Sequence, residues 1–403
     1  MIISFRFKNS RSFLNETFIN MKAVSYKEHP EHLININNKK MIKTLAVYGA
    51  NASGKTNLIL ALANFHLFIS RQLLTGNDFS IDFATIAQYG LLGEIIPFAF
   101  AEEENAPTEM ELTFCFQERI YQYGFSILNQ NILSEQLAMD NHVVFSRKDN
   151  IITFGRYYEK FAQIKTPFQV EQDYLFIPVL TCFSNAEFLD VMKPFKEYFS
   201  THINYYFEIL NEIQSMRTIH SSRSTYEISE NPEALNYGLT QLKKIGIPIE
   251  NFIIENGIFK LGYSFKSRTT NEKKIIYTDS SSTGVMKYLN IYQHIYHLFK
   301  TGGILLIDNI SNSFHPAVTK SIVDLFQSNK NQNAQLLFTT HDTAILNNQQ
   351  FRRDEVAFVD MNEYGESNLY TLADIKVRSD ASFSKDYLLG KYGAVPIIKE
   401  TAL

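Results

Sequence analysis

Residues 43–60, KTLAVYGANASGKTNLIL, set a short apolar run, a loop with two glycines and the start of a helical pattern in direct succession. The run LAVY reads as a buried strand. From Thr56 to Leu73 apolar residues recur at helical spacing. Between them GANASGKT, 49–56, satisfies G-x-x-x-x-G-K-[ST] at every fixed position. The pattern has a mechanical basis. Gly49 and Gly54 let the backbone curl so that N–H groups converge on phosphate oxygens, and the helix that follows presents its positive end. Lys55 is placed to reach the β- and γ-phosphates and Thr56 to ligate Mg²⁺, with Asn51, Ser53 and Asn57 on the same turn. Strand, loop and helix together predict a site for ATP and Mg²⁺.

Composition narrows the class. With 403 residues the chain has length for one large domain or two to three lobes. A formal net charge of −4 offers no global basic surface to nucleic acid, and leaves room only for a local patch. Cys115 and Cys182 are far apart and form no C-x-x-C, which argues against a disulfide scaffold or a zinc knuckle and for a reducing compartment. MIISFRFKNSRSF at the start alternates like a strand, without the apolar core of a signal peptide. No apolar run approaches the ~18 residues of a membrane helix. The expectation is a cytoplasmic protein with no membrane segment.

Along the chain, residues 2–7 and 14–24 read as two strands around a turn, and 96–154 as an antiparallel sheet of short alternating runs. Residues 158–250 are mostly helical in pattern, including a helix that Pro232 opens and Gly246 closes. The polar tract 220–231 reads as a loop or a disordered segment. Strands over 251–279, a helix at 284–300, the buried strand GILLIDN, a helix at 316–328 and the strand AQLLFTTHD complete the series. Alternation of β and α in this last section implies a parallel sheet. The expected organisation is an N-terminal lobe over 1–157 with mixed and antiparallel sheet, a helical insert over 158–250, a C-terminal lobe over 251–360 and a tail over 361–403.

Four further pieces follow the phosphate loop in order. TDSSSTGVMKYL, 278–289, is a Ser/Gly loop opening a helix. ILLIDN ends on Asp308 and Asn309, SNSFHP follows, and LLFTTHD brings His341 to the end of a strand. This ordered set resembles the ATP-binding-cassette head domains of the SMC-like and overcoming-lysogenisation-defect classes. It is most similar to the stand-alone bacterial AAA-family ATPases of anti-phage systems. FKNSRSF at 7–13 resembles the family's opening strand and turn, and the tail from Arg352 to Pro396 its closing segment. The fold so implied is an α/β P-loop NTPase with an ABC/SMC-like head.

The resemblance also implies roles. Arg11 would contact nucleotide, unless it is an ordinary turn residue. Asp308 would support Mg²⁺ through water, and His341 would hydrogen-bond the γ-phosphate or the attacking water; a local pair between His341 and Asp342 is the plainer alternative. Ser282 and Gly284, matching the signature loop, would cover the ATP of a second copy, so that two heads sandwich two nucleotides. Gln88, Gln117 and Gln122 are the candidates for the family's glutamine loop. A separate effector is implied as well, a nuclease of TOPRIM or HNH type. A DNA-repair-type ATPase that clamps DNA between dimerised heads is the alternative, with neither coiled-coil arms nor basic charge to favour it.

One position departs from the family. Where relatives carry the Glu that orients and deprotonates water, this chain has Asn309, and two residues on Ser311 replaces a second acid. An amide can hydrogen-bond the water but offers no basic lone pair at neutral pH. Loss of a general base costs ~10²–10⁴-fold. The expectation is an ATP-gated dimerising switch or assembly platform in an anti-phage defence complex, which binds nucleotide and turns it over slowly unless another carboxylate supplies the base or positioning alone suffices.

Overall fold

The computed structural model describes residues 1–73, 93–101, 106–163, 170–181, 186–206, 231–255, 258–278 and 283–396. Gln88, Ser282, Cys182 and most of the polar tract at 220–231 lie outside them. Strands β1 (Ile2–Lys8) and β2 (Thr17–Asn20) pair antiparallel, as do β3 (Leu33–Ile36) and β4 (Lys39–Ile42). Strand β5 (Thr44–Tyr48) then leads through the glycine loop into α1 (Lys55–Leu73). Five antiparallel strands follow: β6 (Thr108–Phe116), β7 (Arg119–Leu128), β8 (Asn131–Met139), β9 (His142–Lys148) and β10 (Ile151–Phe154). Two-residue turns join several of them, with both central residues at positive φ in Gln117–Glu118, Asn129–Gln130 and Asp140–Asn141. Such turns match the twist of the flanking strands.

Helices α2 (Ile177–Thr181) and α3 (Ala186–Thr201), strand β11 (Ile203–Tyr206) and helix α4 (Pro232–Lys244) come next. Asn231 caps α4 through its side chain, accepting from Ala234 N, and Pro232 occupies the first turn. A small antiparallel sheet contains β12 (Ile249–Glu255), β13 (Ile258–Lys266) and β14 (Lys273–Thr278). The rest runs α5 (Thr283–Thr301), β15 (Gly303–Ile307), α6 (Ile310–Ser313), α7 (Pro316–Gln327), β16 (Ala334–Thr339), β17 (Val356–Met361), β18 (Ser367–Thr371) and α8 (Phe383–Leu388).

Two large sheets organise these elements. One has the order β10-β9-β8-β7-β6-β1-β2, the other β11-β15-β16-β5-β17-β18. In the second, β11, β15, β16, β5 and β17 run parallel, and only the β18 pairing is antiparallel. Its alternating side chains feed two cores. Leu45, Val47, Leu306 and Leu337 point to the antiparallel sheet with α1 and α3 between, whereas Ala46, Tyr48, Leu305 and Phe338 meet α5, α7 and the C-terminal segment. Helix α1 is buried along almost its whole length, as an apolar helix held between two sheets must be. Gln335 is fully buried and ties the sheets together, accepting from Ile2 N at 2.7 Å and donating to Ile2 O at 3.0 Å.

Two of the expected divisions of the chain differ from this arrangement. Residues 158–250 are not a purely helical insert: β11 completes the edge of the parallel sheet beside β15. Its four residues, INYY, are too short to show a strand period, and only the partner strand specifies them. Helix α3 likewise packs Val191, Phe195 and Phe199 into the core between the sheets. The boundary at residue 360 falls inside β17, and the tail beyond it supplies β18 to the same sheet.

Candidate nucleotide site

Parallel register decides which residues meet. In the order β15-β16-β5 the three carboxyl ends lie on one edge, so the segments after Ile307, Thr339 and Tyr48 emerge side by side. The glycine loop leaves β5 there and enters α1 at Lys55, whose first-turn amides precede any intrahelical acceptor. A cleft of about 530 Å³ opens over this edge. The loop contributes Asn51, Gly54, Lys55, Thr56 and Asn57 to it. From the neighbouring strands come Asp308, Asn309, Thr339 and His341.

Thr56 Oγ1 donates to Asp308 Oδ2 over 2.9 Å. The other carboxylate oxygen, Oδ1, accepts from Thr339 Oγ1 at 2.7 Å, and the same Thr339 oxygen accepts from Asn309 N at 2.7 Å. A hydroxyl beside a carboxylate whose orientation is already fixed is the oxygen-only donor set that Mg²⁺ prefers. Lys55 Nζ donates to the carbonyl oxygens of Gly49 and Ala50, at 2.9 and 2.6 Å. The side chain is largely buried, and desolvation pulls its pKa down to about 8 against the pull of Asp308. A buried ammonium held by carbonyl oxygens and facing an open cleft fits a group of negative charge. These residues therefore fit a triphosphate with Mg²⁺.

Asn309 sits at φ 54° and ψ 57°, a left-handed conformation, as the residue before α6. Asn tolerates that region better than any other residue with a long enough side chain to reach a neighbour, which gives a backbone reason for Asn here. Its Oδ1 accepts from Ser311 Oγ at 3.1 Å, and Ser311 Oγ lies 3.4 Å from the amide of His341. Burial first, and Lys55 second, lower the pKa of His341, which favours the neutral imidazole.

The remaining sequence candidates lie as follows. Gly49 is beneath the loop, where a Cβ would collide with the carbonyl of Val359. Ser53 is buried, with its carbonyl accepting from Ser367 Oγ at 2.7 Å. Arg11 has φ 54°, bonds through its amide to Ile96 O at 2.9 Å and feels Glu94; it is not among the residues lining the cleft. Gly284 lies in the first turn of α5, and no described residue comes within 4 Å of the position of a Cβ there. Gln117 lies in the turn between β6 and β7 and Gln122 on β7, and neither lines the cleft. His315 caps α7 through Nδ1, and Asp342 Oδ1 accepts from Ala344 N rather than from His341.

Three residues of the site carry no signal in the sequence. Thr339 fixes Asp308. Ser12 and Ser367 brace the loop, with Ser367 Oγ 2.8 Å from Ser12 Oγ and Asn57 Nδ2 2.9 Å from the same oxygen. A Cβ on Gly54, at φ 107°, would meet both serines. Single hydroxyls far apart in sequence carry no spacing signal that would have found them.

The fold and site define an ATPase domain of the P-loop class, in which a glycine loop, a strand-end aspartate and a strand-end histidine share one cleft. The family model described as "AAA domain, putative AbiEii toxin, Type IV TA system" matches residues 45–347, well over half of the chain, and the protein belongs to that family. Among solved structures it is similar to the SMC head domain from Thermotoga maritima, at 10% identity and a TM-score of 0.44 over 92% of this chain and 98% of that one. An Smc head domain with an extended coiled coil, bound to the C-terminal domain of ScpA derived from Pyrococcus furiosus, gives 12% identity and a TM-score of 0.40 over 97% and 98%. An SmcHead bound to the C-winged helix domain of ScpA gives 13% and 0.37 over 93% and 99%. No curated protein matches the chain. No helix among the described residues is long and apolar enough to cross a membrane.

Proposed function

We propose that this protein is an ATP-gated switch that binds Mg–ATP tightly, hydrolyses it slowly and passes its state to a separate effector. The observation that carries the reading is the contact of Thr56 Oγ1 with Asp308 Oδ2 at 2.9 Å beside the buried Lys55. Lys55 would bind the β- and γ-phosphates, Thr56 would ligate Mg²⁺ directly and Asp308 through water. Bound there, the metal supplies charge neutralisation for phosphoryl transfer. Asn309 would orient water without accepting its proton, and neutral His341 would hydrogen-bond the γ-phosphate or that water.

In this reading ATP closes two copies head to head, the Ser282–Gly284 loop of each covering the nucleotide of the other. The effector would be a nuclease of TOPRIM or HNH type acting in cytoplasmic anti-phage defence. The family description as a putative AbiEii toxin of a Type IV TA system supports a part in such a unit. Calorimetry with ATP and Mg²⁺ tests the basis of it: wild type binds, Lys55→Ala binds at least about tenfold more weakly, and equal affinities overturn the assignment.

A further inference from the structure

At the opposite end of β5 from the cleft, residues 29–32 read His-Pro-Glu-His and form a 3-10 turn over Pro30–His32. His29 is held at φ 47° and ψ 60°, a conformation unfavourable for a residue with a Cβ. The turn stacks the two imidazoles, with ring centroids 4.6 Å apart and planes within 13°. The ligand atoms of His29, Glu31 and His32 all lie within 4.8 Å of one another. Glu31 Oε1 is 3.2 Å from His29 Nδ1 and 3.6 Å from His32 Nε2. Two donors on a tetrahedral ion with bonds of about 2.0–2.1 Å stand about 3.3 Å apart, close to both separations.

The other ring nitrogens decide what these imidazoles present. His29 Nε2 is 2.8 Å from the carbonyl oxygen of Asn348, so that nitrogen carries a proton and Nδ1 can present its lone pair. His32 Nδ1 is 2.8 Å from Glu355 Oε2, which leaves Nε2 for the cluster. Glu355 is itself fully buried and held by Thr44 Oγ1 at 2.7 Å and Arg352 N at 2.9 Å. Each imidazole is thus backed by an oxygen acceptor, as metal-ligating histidines almost always are. With the protons on the outer nitrogens, two ring nitrogens and a carboxylate oxygen lie within 4.8 Å of one another. An ion would take the place of the proton that can bridge His29 Nδ1 and Glu31 Oε1, one of the stacked rings turning to aim its lone pair at it. The Lys43 ammonium does not fill that role, since it donates to the main-chain oxygens of Glu31 and Ser328 at 2.6 and 2.8 Å.

We propose that His29 Nδ1, His32 Nε2 and Glu31 Oε1 bind one divalent transition-metal ion of the Zn²⁺ class. Two imidazoles and one carboxylate select such an ion over Mg²⁺, which keeps to oxygen donors. Three protein ligands leave a fourth position on the solvent side, where the Glu31 side chain is 40% exposed. The ion would fasten the turn, through His29 and Asn348, to the segment that follows His341.

The test uses the tag-free, metal-stripped full chain without nucleotide, in excess Mg²⁺ so that the oxygen site at Thr56 and Asp308 is occupied. Zn²⁺ is titrated by calorimetry, and Co²⁺ by its visible ligand-field absorption. The expected result is one ion per chain, a Co²⁺ spectrum of low coordination number, and affinity reduced about tenfold or more by Glu31→Gln and by His29→Ala. Both residues are partly exposed, and circular dichroism verifies that each variant keeps the wild-type fold. His32 is left unaltered because it also holds the buried Glu355. Absence of saturable binding, or binding that both variants leave unchanged, overturns the proposal. Neither result bears on ATP binding, which is read separately from Lys55→Ala.

Discussion

The hydroxyl of Ser311 donates to the side-chain oxygen of Asn309 over 3.1 Å, so the two positions that carry acids in related ATPases are bonded to each other here. The amide oxygen that faces Ser311 cannot also take a proton from water. Asn309→Glu supplies a carboxylate at that point, and kcat is expected to rise about tenfold or more with nucleotide affinity nearly unchanged. The left-handed backbone at this position makes Glu less comfortable than Asn, and stability is expected to drop by about 1 kcal/mol. Steady-state ATPase assays and thermal melts of Asn309→Glu, alone and with Ser311→Asp, check both effects. Ordinary turnover by wild type, unchanged in the variants, would place the base elsewhere and remove the slow-switch reading.

Nucleotide binding is expected to depend on pH through Lys55. Its pKa in the free protein is about 8, below the ordinary 10.5, because the ammonium is desolvated. Between those values the unfolded chain holds more protons than the folded one, so this group's contribution to stability rises with pH. Triphosphate charge favours the protonated form, so binding above about pH 8 takes up a proton and affinity falls with pH, by up to about tenfold per unit. Calorimetry in two buffers of different ionisation enthalpy measures the uptake. A constant affinity from about pH 7 to about pH 9, with no proton taken up, contradicts the assignment.

Thr339→Val removes one hydroxyl and almost no volume. The side chain is buried, and its oxygen both orients Asp308 and accepts the Asn309 amide. Leaving that amide unpaired is expected to cost about 1–3 kcal/mol in a denaturant titration. The Mg²⁺ concentration needed for half-maximal ATP binding is expected to rise, because Asp308 loses its orienting donor. An unchanged Mg²⁺ requirement would show that Asp308 does not support the metal.

Gly284 offers a way to separate assembly from folding. Among the described residues nothing stands within 4 Å of the position of its Cβ, so Gly284→Arg adds a side chain on the start of α5 without a clash with any of them. If that helix start covers a partner's nucleotide, light scattering will show wild type dimerising with a non-hydrolysable ATP analogue and the variant remaining monomeric. A dimer formed equally by both excludes the composite site.

The phosphate loop was legible because its eight residues are contiguous and chemically constrained, and the strand and helix around it are long enough to show their periods. Asp308, Asn309 and His341 were legible from their place at strand ends and from their order along the chain. Tertiary structure alone decided that β11 joins the parallel sheet, since four residues acquire strand geometry only from the neighbour they pair with. It alone brought Ser12 and Ser367 under Gly54, from positions 12 and 367 of the chain. The same holds for Thr339 and for the histidines of the turn at 29–32, whose meaning rests on which oxygen stands behind each hydroxyl or ring nitrogen. Local sequence encodes backbone preference and burial, whereas a hydrogen bond between distant side chains exists only once parallel register and sheet packing have set their separation.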